Sequence, residues 1–325
     1  EGEPGYPEGV LERFERFGLS AIWGDYEAFA NATQWHQFHA MKYEIEVMRR
    51  QPKLVGYTIT ELSDIYWESN GLLDFNRGTK AYHDVFATIN AEDVIIPRLP
   101  GYATWDDQPL PVQLAGSHYS AADWSGAELT VKLNGEATSQ AVTPAARGEV
   151  VDWGVQTLTF AAADQTGFQH VDLTLKNGAG KPLAQNGLDV MVLPASLKQA
   201  AFTGQIAVPV AVDPLFGTND SPLATALTSL GYRVGDSASS DLIVTDRATE
   251  DVLRYVRDGG KLLYFSTGIG PFFFHKGRGG TYSGNWMSSF NWLRPDVFRR
   301  LNVSNPLTLP YRNVVPIGAF DSIPV

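Results

Sequence analysis

Glu61, Asp64, Glu68 and Asn70 fall within ten positions, with Tyr66 and Trp67 between them. Carboxylates in such a group can accept hydrogen bonds from hydroxyls. Two of them set about a reacting bond could act as nucleophile and general acid/base. Glu61 paired with Glu68 or Asp64 meets that need in principle. The Trp67 indole offers a flat face on which a sugar ring could stack, or a cap for the loop itself. Histidine is the other candidate: His36 and His39 lie three apart, with His83 further on. A metal site needs a third, converging ligand. Helix packing is therefore expected of them, and no metal or cofactor is assigned. The chain has no Cys, which excludes thiolate nucleophiles, disulfides and Cys-type zinc sites.

The elements that must hold this group can be read from its flanks. Asp25 is placed to cap a long helix running to about Arg50. Phe38, Met41, Ile45 and Met48 recur at a 3-4-3 spacing and share one face. Gln51-Pro52 stops that helix. The β-branched run Val55 to Leu62 then predicts a buried strand. A long loop from Ser63 to Gly78 comes next, and a second helix from Thr79 to Asn90 turns Tyr82, Val85, Phe86 and Ile89 inward. Helix, strand, long loop and helix make a (β/α) unit, whose functional loop comes after the strand. A lone strand has two unpaired edges, so such a unit calls for neighbouring strands.

Two further blocks complete the chain. From 98 to 195, segments near 110–116, 127–133, 149–161, 168–175 and 187–193 alternate apolar and polar residues. Asn134-Gly135, Asn177-Gly178 and Asn186-Gly187 supply turns, the first directly after Leu129 to Leu133. An immunoglobulin-like β-sandwich is expected there. From 196 to 325, strands at Gln205 to Val212, Tyr232 to Val234, Asp241 to Thr245 and Lys261 to Ser266 alternate with helices at Ser221 to Leu230 and Thr249 to Asp258. That alternation predicts a parallel, doubly wound sheet of flavodoxin-like or amidotransferase-like kind. Gly277 to Gly280 is basic and Gly-rich but does not join a strand to a helix, so a mobile loop is expected rather than a phosphate cradle. Tyr282, Trp286, Phe290 and Trp292 could form a sugar platform, with packing against another domain the preferred expectation.

Composition sets outer limits. Hydrophobic residues are 44% of the 325 and charged residues 19%, enough for sizeable cores. The net charge of −11, with Lys and Arg scattered, would repel a phosphate backbone, so no nucleic-acid partner is expected. No apolar run reaches the length of a membrane span. The opening Glu1-Gly2-Glu3-Pro4-Gly5 has no signal-peptide pattern. Nothing in the composition chooses between a cytoplasmic and a secreted location. The lack of an initial Met and the ending soon after a strand candidate at Tyr311 to Val315 suggest cut ends.

The stretch Gly56-Tyr-Thr-Ile-Thr-Glu-Leu-Ser-Asp-Ile-Tyr-Trp-Glu-Ser-Asn-Gly-Leu-Leu-Asp74 resembles the eighth barrel strand of the family 2 glycoside hydrolases. These are the β-galactosidases, β-glucuronidases and β-mannosidases. The flanks agree: Ala32-Thr-Gln-Trp-His-Gln-Phe38 with Lys42-Tyr-Glu44 before it, and Lys80 to Asn90 after it. The resemblance spans residues 6 to about 97. It implies the end of a (β/α)8 barrel and a retaining exo-β-glycosidase acting on a β-glycoside. It places side chains of this strand end against the sugar in the −1 subsite, Glu61 accepting hydrogen bonds from hydroxyls and Asp64 orienting neighbours. Trp67 is expected either to stack on the sugar or to cap the barrel top. Many members carry an aromatic residue where this chain has Thr60. The usual Asn-Glu acid/base pair occurs nowhere in the sequence, so no catalytic residue is assigned. The catalytic carboxylates are expected upstream, in a missing N-terminal part of the same enzyme, leaving this chain inactive alone. A homo-oligomer is possible within the family.

The third block resembles amidotransferase-like domains attached to some of these hydrolases. Without Cys it lacks the nucleophile that amidotransferase chemistry needs, so an interaction role is expected. The rival reading of the whole chain is a non-catalytic carbohydrate-binding or assembly module.

Overall fold

A computed structural model describes residues 8–65, 68–198, 202–209, 212–213, 217–218, 221–235, 240–246, 249–265, 274–275, 290–293, 305–311 and 319–320. The chain divides into two compact units, one of residues 1–193 with 290–313, the other of 194–289 with 314–325. Among the described residues, no helix is long and apolar enough to cross a membrane.

The first unit opens with helices α1 (Val10–Arg16), α2 (Ser20–Trp23) and α3 (Tyr26–Arg49). Asp25 caps α3 by accepting from the Ala28 amide at 2.7 Å, which satisfies one of the free N–H groups of its first turn. The repeat along α3 does what its spacing dictates. Phe38 and Ile45 are buried with Tyr82 and Ile89, and Met41 and Met48 pack against them.

The expected barrel end is not there. Val55 to Leu62 forms no strand; Val55 is 87% exposed and Leu62 66%. A β-branched run needs a partner edge to become a strand, and among the described residues none adjoins it. The chain instead forms a loop pinned by single bridges, Ser63 to Leu73, Ile65 to Glu68 and Leu73 to Thr79. The expected second helix shortens to a 3₁₀ turn at His83–Thr88.

β-Sheet dominates the remainder of this unit. Strands β1 (Asp93–Arg98), β2 (Ala103–Trp105), β3 (Leu110–His118), β4 (Glu128–Leu133), β5 (Glu136–Ala141), β6 (Glu149–Leu158), β7 (Gly167–Lys176) and β8 (Pro182–Leu193) form a β-sandwich. One sheet has the order β1-β3-β6, the other β2-β8-β7-β4-β5. All neighbours are antiparallel except β2 with β8. Alternate residues of both sheets meet in a core that includes Ile95, Val112, Leu114, Trp124, Leu129, Val171, Leu173 and Val190, as the period of two demands. Asn134 (φ 53°) and Gly135 (φ 86°) both adopt positive φ between β4 and β5, the backbone that a tight hairpin requires.

In the second unit, β9 (Gln205–Ala207), β12 (Arg233–Gly235), β13 (Leu242–Thr245) and β14 (Leu262–Tyr264) make a parallel sheet of order β12-β9-β13-β14. Small antiparallel pairs join β10 (Val212–Asp213) to β11 (Gly217–Thr218) and β15 (Phe274–His275) to β16 (Ala319–Phe320). Helix α4 (Pro222–Ser229) packs Leu223, Ala224 and Leu227 around Ile206, Val208 and Val244. Helix α5 (Glu250–Arg257) sets Val252 against Ala207 and Ile243. The main sheet has four strands of three or four residues. It falls short of the flavodoxin- or amidotransferase-like domain expected. The expected architecture of a barrel end, a sandwich and a doubly wound domain is thus corrected to a chain made mostly of β-sheet.

Candidate functional site

The loop from Glu61 to Gly78 is locked from within and from α3. Lys80 is buried and donates to Asp64 Oδ1 (2.8 Å), Ser69 O (2.9 Å) and Gln37 Oε1 (3.1 Å). Asp64 Oδ1 also accepts from the Gly71 amide at 2.9 Å. Gln37 reaches from α3 to the carbonyls of Asn70 (2.5 Å) and Gly71 (3.1 Å). The Tyr82 hydroxyl donates to Gly71 O at 3.3 Å, and burial, then the Asp64 charge, push its pKa up to about 12. Gly71 has no room for a side chain: an added Cβ would lie 2.3 Å from Ser63 C and 2.4 Å from Asp64 N.

Within this frame Glu61 is the exception. Its φ is 72°, a left-handed value that costs a non-glycine residue energy. Its Oε2 is shielded from solvent and receives no hydrogen bond. The adjacent Glu68 carboxyl, with which a protonated Glu61 can share a hydrogen bond, holds the Glu61 pKa above its ordinary value. Desolvation and the charges of Glu68 and Asp64 act in the same direction, against Lys80.

The structure therefore brings Glu61, Asp64 and Glu68 together, with Lys80 as the cation that fixes Asp64. Lys80 belongs to a block that the sequence singles out, yet its role could not be read there, because the contact spans 16 positions. Trp67 and Tyr66 lie outside the described residues, as do Gly277 to Gly280, Tyr282 and Trp286. Phe290 stacks on Trp23 (5.5 Å between centroids) and meets Phe29 and His36 edge-on. Among the described residues no group of three or more His, Asp or Glu could hold a metal.

A second feature lies between α3 and the outer face of β4, β7 and β8. A cleft of about 950 Å³ is lined by Trp35, His39, Lys42, Phe168, His170 and Asp189, among others. His170 Nδ1 is 2.7 Å from Asp189 Oδ1. Gly187 makes room for that imidazole: a Cβ there would sit 2.6 Å from His170 Nε2. At the floor, Lys42 pairs with the buried Glu46, and Asn186 Nδ2 donates to Glu46 Oε1 at 2.8 Å. Burial raises the Glu46 pKa and lowers that of His39. From sequence, His39 is weighed only as a metal ligand; His170, Asp189 and Asn186 are not candidates, because they lie far from α3 in the chain.

No family model matches the chain, and no curated protein matches it. Among solved structures it is similar to a CARDB domain from Pyrococcus furiosus (11% identity, TM-score 0.25), over 31% of this chain and 93% of that one. The PKD domain of a peptidase from a Thermoplasmatales archaeon gives 16% identity and a TM-score of 0.22, over 30% and 92%. A family 76 glycoside hydrolase from a bovine Bacteroides thetaiotaomicron strain gives 17% and 0.20, over 32% and 22%.

Proposed function

We propose that this chain is the sugar-contacting, non-catalytic part of a retaining exo-β-glycosidase, with Glu61 as the carboxylate that receives the sugar's hydroxyls. The observation that supports this is the state of Glu61 itself. A strained backbone and a shielded, unsatisfied acceptor are costs that structural loops avoid and binding sites keep. The surrounding Lys80–Asp64–Gln37 lattice holds the loop without using Glu61. A sugar hydroxyl that displaces the groups covering Oε2 would supply the missing donor. The catalytic carboxylate pair is placed outside these 325 residues, so the partners of this site are a β-glycoside and the remainder of the enzyme.

The test is a panel of p-nitrophenyl β-glycosides (galactoside, glucuronide, mannoside and glucoside) with the 325-residue chain beside Glu61→Gln. No turnover is expected from either protein. Calorimetry with the matching methyl β-glycosides should show weak binding by the intact chain and none by Glu61→Gln. Turnover by the intact chain that disappears in the variant would sink the proposal.

A second reading is a carbohydrate-binding module acting through the cleft beside β7. The observation that favours it is Phe168, 41% exposed at a cleft lined by His170, Asp189 and Asn186. Binding of β-linked oligosaccharides that survives Glu61→Gln but fails in Phe168→Ala would select this reading.

A further inference from the structure

Two consecutive arginines at the end of α3 have very different surroundings. Arg49 is fully engaged. Its guanidinium donates to Ser117 Oγ (3.0 Å), Ala91 O (2.8 Å) and Glu92 O (2.7 Å), and it lies 5.1 Å over the Tyr119 ring. Arg50 has only a long contact of 3.5 Å from Nη2 to Asp152 Oδ2. That oxygen already accepts from Gln113 Nε2 at 2.7 Å. Arg50 Nη1 is shielded from solvent and has no hydrogen-bond partner. A shielded guanidinium nitrogen without an acceptor is costly.

The neighbourhood makes that cost larger. Arg50 and Arg98 line one cleft of about 650 Å³ together with Gln113. Burial, then the like charge of Arg98, act to lower the Arg50 pKa, and only Asp152 opposes them. Among the described residues the Arg98 side chain has no ion pair. In a chain of net charge −11, two guanidinium groups could readily have been given carboxylates. The carboxylates at hand are Asp152, shared with Gln113, and the cleft-lining Glu46, already paired with Lys42. Val47, Pro97 and Val155 add apolar surface to the lining, with Val155 63% and Val47 47% exposed.

We propose that this cleft binds an organic carboxylate with an apolar body, held by Arg50 and Arg98 through its oxygens and by Val47 and Val155 through its carbon skeleton. A planar carboxylate fits the fork of a guanidinium and can take two parallel N–H donors. It would pair with the two guanidinium groups and relieve the repulsion between them. The apolar rim then distinguishes a carbon-rich acid from a bare inorganic oxyanion. The site is separate from Glu61 and needs no part of the sugar-binding loop.

The experiment is calorimetric titration of the 325-residue chain with sodium benzoate, acetate and phosphate at constant ionic strength. Saturable benzoate binding is expected, tighter than acetate or phosphate. Arg50→Gln and Arg98→Gln should each weaken it about tenfold, the scale of one charge-assisted contact. Arg98 is exposed at the end of β1, so its variant keeps the fold even where Arg50→Gln does not. Glu61→Gln should bind benzoate unchanged. Absence of saturable binding, equal binding by Arg98→Gln, or preference for phosphate would each overturn the proposal. So would a dimer in sedimentation that Arg98→Gln dissociates, since a second copy would then supply the anion.

Discussion

Lys80 Nζ lies 2.8 Å from Asp64 Oδ1, and the lysine side chain is only 2% exposed. This pair joins the two ends of a loop that, among the described residues, has no strand beside it. Lys80 also holds Ser69 O and Gln37 Oε1, so all three ammonium protons have acceptors. Satisfied in this way, a buried cation can stabilise; stripped of its partner, either charge becomes a liability.

Replacing Lys80 with Met should therefore destabilise the chain by about 3 kcal/mol, the cost of leaving a largely buried carboxylate unpaired. Asp64→Asn should cost less, because the amide oxygen still accepts from Lys80 and the Gly71 amide. Urea unfolding followed by tryptophan fluorescence measures both. Equal losses would mean that the charge of Asp64, and not the removal of Lys80, dominates.

Gly71→Ala should cost about 2 kcal/mol or more, because the added methyl meets backbone rather than a movable side chain. The disturbance falls on Ser63 and Asp64, so any sugar binding through Glu61 should disappear with it. Gly56, whose Cβ would meet nothing within 4 Å, is the control, and Gly56→Ala should leave both stability and binding unchanged.

Glu61 should show a trade-off between stability and binding. Glu61→Gly relieves the positive φ and should raise the unfolding midpoint while removing binding. The pH dependence has a definite sign. The folded-state pKa is raised, so the stabilising contribution is present below the ordinary carboxylate pKa and is lost as pH rises through the raised value. Glu61→Gln should flatten that part of the stability profile. A profile unchanged by the substitution would remove Glu68 as the cause.

Asp93 predicts the opposite pH response. Burial acts to raise its pKa, but hydrogen bonds from Ser120, His118 and Trp124 outweigh that and lower it. Ser120 Oγ is 2.6 Å from Oδ2, His118 Nδ1 is 2.8 Å from Oδ1, and Trp124 Nε1 is 3.2 Å from Oδ2. Its contribution should be present above the ordinary Asp pKa and lost as pH falls through the lowered folded value. Asp93→Asn should cost about 2 kcal/mol at neutral pH and remove that acid-side loss, as thermal melts across pH 2 to 7 would report.

Local features depend on nearby positions, and these were legible in the sequence. Asp25 caps α3, the Phe38–Ile45 face is buried, Asn134-Gly135 turns the hairpin, and β4, β7 and β8 alternate as strands must. Glu61 and Asp64 were also legible as a pair of carboxylates worth testing. Pairing partners were not. Val55 to Leu62 has every property of a strand except an edge to bind, and only the folded chain shows that it forms a loop. The hold of Lys80 on Asp64, the reach of Gln37 from α3, the imidazole of His170 beside Asp189 and the unsatisfied Arg50 beside Arg98 all depend on distances between residues remote in sequence. Sequence determined the elements whose hydrogen bonds and apolar contacts close within a few residues. Tertiary structure decided which charges of the described residues meet a partner and which do not, because electrostatic and hydrogen-bond energies depend on separation in space.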